Sequence, residues 1–346
     1  MKKKLTILLV KIAIGAALLA FIVWKMAPEW DKSRIIITNL FRYRVYRFIA
    51  GILCFGLVVC LGTYRWKLLL RAHQVDLRFC EVIKLFFVGH FFSQFMPGGI
   101  AGGDIVKSFY VSTHTDDRKH EAVTTIFIDR IMGIFGLFGV LVIAVLINLG
   151  SLGHGRYIIY DLAILAAISL ILVLFFSKGL LRRIGIITRI VDKIPYKEFI
   201  ARIYNAFHYY KDHKLVLLIA FILSTTVHLI LAIMVYLIAS GLGLDTPLRK
   251  YFIIVSLVNF VGSLPISPLG TLGTLDLAYI KFFEKEVAEN TGIPGAIALL
   301  VRLIYAFWGL VGLFVWLFLK SQMRSNSLKK VTGLEHVEAG INEVRK

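Results

Sequence analysis

The chain has 346 residues, 58% of them hydrophobic, and a mean hydropathy of +0.79. That is too apolar for a soluble domain of this size and places the bulk of the chain in a bilayer. The net charge of +19 does not indicate nucleic-acid binding, because the basic residues cluster between apolar runs, where cytoplasmic loops face anionic inner-leaflet lipids.

The N-terminal stretch MKKKLTILLVKIAIGAALLAFIVWKM begins like a signal peptide, but its apolar part is too long and no small-residue cleavage site follows. It reads as a retained first helix, with Lys2, Lys3 and Lys4 holding the N-terminus in the cytoplasm. A spanning helix needs about 20 mainly apolar residues. Six segments qualify, at about 5–24, 46–64, 126–148, 157–176, 215–240 and 296–319. Two more regions, about 79–112 and 250–288, are apolar but interrupted by Pro and Gly. The expected fold is an all-α polytopic membrane protein, with six full transmembrane helices plus two re-entrant helical hairpins in an inverted-repeat arrangement. One membrane domain covers 1–320, with halves at about 46–176 and 215–319 and surface helices at about 178–212; 321–346 form a cytoplasmic tail.

Loop charge orients this arrangement. Arg65, Lys67, Arg71 and Arg78 in 65–78, the many Lys and Arg of 177–214, and Lys320, Arg324, Lys329 and Lys330 all fall on the cytoplasmic side. Both termini are then cytoplasmic in a multi-pass inner-membrane protein. One stretch disagrees: 25–47 is expected outside yet carries Arg34, Arg42, Arg44 and Arg47. An amphipathic helix on the outer leaflet, with its arginines at the headgroups, reconciles it.

The first broken segment, FFSQFMPGGIAGGDIVKSFY at 91–110, places Pro97, four glycines and Asp104 inside an apolar run. Irregular backbone at membrane depth is tolerated only inside protein or against a water-filled cavity. MPGGIAGGD therefore reads as the tip of a re-entrant hairpin, with Asp104 able to cap the exiting helix. The second, NFVGSLPISPLGTLGTLDLAYI at 259–280, repeats the order: Leu264-Pro265, then glycines, then Asp276. Paired interrupted segments in corresponding halves suggest inverted repeats meeting at a central site. The competing reading is two ordinary connecting loops.

Charges within the spans come next. TTIFIDRIMGIFGLFGV puts Asp129 and Arg130 in one span, and AIALLVRLIYAFWGL puts Arg302 in another. Each costs roughly 2.5–3.5 kcal/mol on insertion scales, so such residues are paired, snorkelling or functional. Either arginine can hold a phosphate through its planar fork, with Asp104, Asp129 and Asp276 as countercharges. The alternatives are a local Asp129–Arg130 pair at the interface and a structural carboxylate partner for Arg302. His90 and His228 also lie in apolar runs, as packing residues or proton carriers.

Cys54, Cys60 and Cys80 form no CxxC pair and read as buried, inert thiols. STHTDDRKHEA offers His114, Asp116, Asp117 and His120, which a charged cytoplasmic turn explains more simply than a metal site. HExxH, P-loop, GxSxG and dinucleotide motifs are all missing, so no metal and no cofactor is expected.

TYRWKLLLRA, GHFFSQFMPGGIAGGDIVKSFYV, AVTTIFIDRIMGIFGL and SLPISPLGTLGTLDLAYI resemble, in order and spacing, the family of lysylphosphatidylglycerol synthase transmembrane regions, also called flippase-like domains. The resemblance covers about 5–320. It implies a polytopic lipid translocase fold; in multidomain members this region is associated with moving aminoacylated phosphatidylglycerol to the outer leaflet. Carried onto matching positions, it points to Pro97, Gly98, Gly102, Gly103, Asp104, Asp129, Arg130, Pro265, Gly270 and Gly273. Two departures are visible: a Glu is usual near Asp276, and the soluble aminoacyl-transferase domain is missing, so the chain is not expected to make a lysyl lipid itself.

The expected function is a flippase-like transporter, with those residues plus Asp276 and Arg302 binding a phospholipid or lipid-phosphate carrier. The alternative is a membrane-embedded transferase using a polyprenyl-phosphate-linked donor, since some relatives are linked with such chemistry. A non-catalytic scaffold for envelope assembly is a third reading. Expected partners are a membrane phospholipid or polyprenyl-phosphate lipid and anionic inner-leaflet lipids, without nucleic acid; a homo-oligomer is left open.

Overall fold

The computed structural model describes residues 30–95, 100–113, 115, 118–149, 210, 213–263, 273–287 and 292–344, and side chains of the last helix as far as Leu319. Among these residues all regular structure is helical. In chain order the helices are α1 (Trp30–Tyr43), α2 (Val45–Ala72), α3 (Phe79–Phe95), α4 (Ile100–Thr113), α5 (Lys119–Leu149), α6 (Lys214–Gly241), α7 (Leu248–Ser263), α8 (Thr274–Phe283) and α9 (Ile293–Val344).

Four helices contain segments long and apolar enough to cross a membrane: Val45–Ala72, Lys119–Ile147, Lys214–Gly241 and Ile293–Leu319. They correspond to four of the six spans read from sequence; 5–24 and 157–176 lie outside the described residues. At 1.5 Å rise per residue, α2 and α6 with 28 residues each extend about 42 Å, more than a hydrocarbon core. Their outward faces stay apolar. Tyr46, Ile49, Leu53 and Leu57 on α2, and Leu303, Phe307, Leu310 and Phe314 on α9, are exposed at helical spacing. Water would not tolerate such stripes; acyl chains do.

α2 runs further than sequence reading predicts. Arg65, Lys67 and Arg71, expected in a cytoplasmic loop, lie on the helix, and Arg65 is buried. The reason is pairing: a carboxylate from another helix meets Arg65, so its charge need not reach water. Residues 30–43 do form the short helix expected before the first described span, with Leu40 buried beneath it and Phe41 and Tyr43 exposed. Arg44, between α1 and α2, donates to the carbonyls of Ser240 and Gly241 at 3.1 and 3.5 Å, where the negative end of α6 favours a cation. Polar residues from 321 onward continue α9 as helix to Val344.

α3 with 17 residues, α4 with 14, α7 with 16 and α8 with 10 are all shorter than a spanning helix. Residues 96–99 and 264–272, between the two members of each pair, lie outside the described residues. Pro97, Gly98, Pro265 and Gly270 are among them, and the surface helices expected at 178–212, apart from Tyr210, lie outside the described residues as well.

Helix packing repeats itself. α3 packs on α4 as α7 packs on α8; α4 packs on α5 as α8 packs on α9; α3 packs on α9 as α7 packs on α5. Corresponding helices α2 and α6 form the most extensive contact, and they run antiparallel: Arg44 meets Ser240, a Cβ on Gly51 would meet Ile238 and Met234, and Arg65 meets Ser224. Small residues allow the close approaches. A Cβ on Gly136 of α5 would stand 2.6 Å from Ser224 of α6, so only glycine permits that contact.

The thiols correct one expectation. Cys60 and Cys80 are exposed and Cys54 is half-buried, so none is a buried core thiol. Their helices turn Cys60 and Cys80 away from the protein core, whereas Cys54 packs against it, partly buried.

Candidate functional site

Asp104 sits in the second turn of α4, which begins at Ile100, so it does not cap the helix as its position after the glycines suggests. Instead it accepts two bonds from Arg130 on α5, Nε to Oδ2 at 2.5 Å and Nη2 to Oδ1 at 2.6 Å. The paired planar forks satisfy both carboxylate oxygens. Gly103 brings α4 against α3: a Cβ there would collide with the Ser93 hydroxyl and the Gly89 carbonyl. Gly102 is buried beside it.

Asp129, adjacent to Arg130, turns elsewhere because neighbouring residues on a helix point about 100° apart. It accepts from Arg65 Nε at 2.8 Å and lies 3.9 Å from Lys107 Nζ. Arg65 also donates to the Ser224 hydroxyl on α6. The Lys107 ammonium stands over Trp66, 3.7 Å from its ring centroid, and 4.9 Å from that of Phe86. Aromatic faces stabilise a cation cut off from water. The local Asp129–Arg130 pair considered from sequence does not form; each residue pairs across helices.

The second half repeats the first pair. Arg302 on α9 donates to Asp276 on α8, Nε to Oδ1 at 3.0 Å and Nη2 to Oδ1 and Oδ2 at 2.8 and 2.9 Å. In both pairs the carboxylate precedes its arginine by 26 residues. Asp276 also accepts the Gly273 N–H at 3.0 Å, closing the first turn of α8. Gly273 has φ +88°, a backbone state that favours glycine. Arg302 also donates from Nη1 to Gln94 Oε1 on α3 at 3.0 Å.

These elements surround a pocket of about 190 Å³, several times the roughly 30 Å³ share of one water. Its walls take His90 and Gln94 from α3, Asp104 and Lys107 from α4, Arg130 from α5, Asn259 and Gly262 from α7, Leu275 from α8 and Tyr305 from α9. The first ion pair is the more open one: side-chain exposures are 41% for Arg130 and 18% for Asp104, against 15% and 11% for Arg302 and Asp276.

The structure thus puts Asp104 and Arg130 in the pocket wall and joins Asp276 and Arg302 to it through Gln94, with Gly102, Gly103 and Gly273 in the helices that carry the carboxylates. Asp129 supports it from behind, paired with Arg65. Sequence reading missed Arg65, Lys107, Gln94, Asn259 and Tyr305. Lys107 carried a usable signal, a cation three residues beyond Asp104 in an apolar run. The others look like ordinary polar or aromatic substitutions until the helices meet. His90 places Nε2 3.4 Å from the Tyr305 carbonyl, and His228 places Nε2 3.1 Å from that of Gly133. His114, Asp116 and Asp117 lie outside the described residues, and no cluster of three or more metal-ligating side chains occurs among those described.

Spanning helices with lipid-facing apolar stripes, two pairs of shorter helices and an ion-paired pocket between them define a polytopic helical membrane protein. The chain belongs to the family of lysylphosphatidylglycerol synthase transmembrane regions, whose sequence model matches residues 8–330. It is 24% identical over 283 residues to a UPF0104 membrane protein of Methanothermobacter thermautotrophicus, covering 76% of this chain and 82% of that one. Over 135 residues it is 26% identical to a UPF0104 membrane protein of Pyrococcus horikoshii, covering 39% of this chain and 37% of the other.

Proposed function

We propose that the protein is a flippase-like transporter that moves a phospholipid or lipid-phosphate carrier between leaflets. The observation that carries this reading is a pocket lined by all four short helices, with the bidentate Asp104–Arg130 pair in its wall and the equally spaced Asp276–Arg302 pair joined to that wall through Gln94. The short helices are read as re-entrant hairpins, since none is long enough to cross alone. The halves are read as an inverted repeat: corresponding helices α2 and α6 run antiparallel, so the axis relating them lies across the helices and therefore in the membrane plane. The termini are placed in the cytoplasm of an inner-membrane protein by the loop charges.

Transport of a headgroup through hydrocarbon is opposed chiefly by desolvation of its charge. A polar pocket at membrane depth lowers that barrier while the acyl chains remain in lipid. Arg130 is held by Asp104 when no ligand is bound; an arriving phosphate competes for the same guanidinium with matching bidentate geometry. Rocking of one half against the other then re-exposes the pocket on the far side. The Arg302–Gln94 bond crosses the line between the halves and is the contact such rocking must remake.

Purified protein in vesicles with a labelled lipid tests this. Leaflet exchange without chemical change is expected, and Asp104→Ala and Arg130→Ala should abolish it while the protein still inserts. A new lipid product would favour a transferase using a polyprenyl-phosphate-linked donor. Undiminished exchange in both variants would remove the proposed site.

A further inference from the structure

The charges around the pocket do not balance. Among the described residues its walls hold Lys107 and Arg130 against Asp104, one cation more than carboxylates, while Arg65 with Asp129 and Arg302 with Asp276 pair outside the walls. Residues 96–99 and 264–272 contain no charged residue, so they add nothing to this count. Each carboxylate is already engaged by an arginine at 3.0 Å or less. Lys107 is the surplus cation: its side chain is buried against Trp66, it lines the pocket, and the Asp129 oxygen it approaches is 3.9 Å away on a carboxylate whose other oxygen holds Arg65 at 2.8 Å. A second donor faces the same space from the other half. The Asn259 side-chain nitrogen is buried without a hydrogen-bond partner among the described residues, and Asn259 lines the pocket too.

A buried ammonium and an unsatisfied amide together call for a ligand that brings acceptors and negative charge. We propose that the pocket takes a phosphate without a compensating cation, either the phosphodiester of an anionic phospholipid or a polyprenyl phosphate, with Lys107 and Asn259 contacting its oxygens from opposite halves. It discriminates against headgroups that carry ammonium groups, because these would bring more positive charge into a pocket that already holds one cation in excess. A lysylated headgroup is the poorest fit. This inference rests on the reading of the pocket as the lipid site and adds its charge preference.

The test is lipid retention by the purified full-length chain, measured by native mass spectrometry after exposure to equal amounts of four probes. These are phosphatidylglycerol, phosphatidylethanolamine, lysylphosphatidylglycerol and a polyprenyl monophosphate. Like-charge juxtaposition costs several kcal/mol and about 1.4 kcal/mol is tenfold, so an uncompensated phosphate should be retained at least about tenfold over the lysylated lipid. Retention of phosphatidylglycerol alone or of polyprenyl phosphate alone upholds the rule and names the source. Lys107→Met should erase the discrimination and Lys107→Arg restore it, a pattern that loss of packing would not produce. Asn259→Leu should lower retention several-fold while keeping the preference. Equal or stronger retention of the lysylated lipid overturns the inference, as does intact discrimination in a folded Lys107→Met protein; if that variant does not fold, the native four-lipid comparison decides. Vesicle exchange is scored separately. Selective retention without exchange removes the transport reading and leaves this inference standing, whereas equal exchange of all four lipids does the reverse.

Discussion

Arg302 and Gln94 are joined by a 3.0 Å hydrogen bond although they are 208 residues apart, one on the last long helix and the other on α3. Because Arg302 also grips Asp276, this bond ties the ion pair between α8 and α9 to α3. Gln94→Leu should therefore slow lipid exchange by about tenfold, the loss of a hydrogen bond to a charged group being worth about 1.5–3 kcal/mol. Vesicle exchange rates, read beside thermal melting in detergent, check it. Unchanged exchange would mean that the bond is not remade during transport.

The Arg65–Asp129 pair is expected to be structural. Both residues are buried, and removal of one partner leaves a charge without compensation. Arg65→Met should destabilise by about 3–5 kcal/mol, and the double variant Arg65→Met/Asp129→Leu by clearly less. Denaturant or thermal unfolding of the four proteins of this cycle measures the coupling. Additive losses would show that the two side chains do not depend on each other.

Arg130 presents the opposite case, since its side chain is partly open to the pocket. Arg130→Lys keeps the charge and discards the fork. Exchange is expected to fall about tenfold, equivalent to about 1.4 kcal/mol, with little change in melting temperature. The matching Arg302→Lys should lower the melting temperature more, because that pair is better buried and holds Gln94 as well.

Two glycines make a paired prediction about packing. Gly103→Ala must collide with the Ser93 hydroxyl and with the Gly89 carbonyl, which is backbone and cannot turn aside. A loss of about 1–3 kcal/mol is expected. Gly133→Ala meets nothing within 4 Å in the middle of α5 and should be neutral or stabilising by up to about 1 kcal/mol. Thermal melts of both variants decide it, and similar melting temperatures would contradict the tight α3–α4 approach.

The helices α3, α4, α7 and α8, each shorter than a span, were legible because Pro and Gly divide the apolar runs they lie in. Asp129, Arg130 and Arg302 were legible through the insertion cost of a charge. Arg65 was not, because an arginine at the end of an apolar run looks the same whether it enters a loop or continues a buried helix. Asp104 was visible as a residue but not in its role: its place after the glycines suggests a cap, and only the approach of α5 makes it the partner of Arg130.

By itself the sequence determined a membrane-embedded helical chain with two interruptions and a few charges within the apolar runs, since hydropathy and the cost of burying polar groups act on each segment alone. Which charges pair, which cation is left over and which uncharged residues complete the pocket were decided by the tertiary structure alone. Those outcomes depend on distances between helices that lie far apart in the chain, and no local preference encodes them.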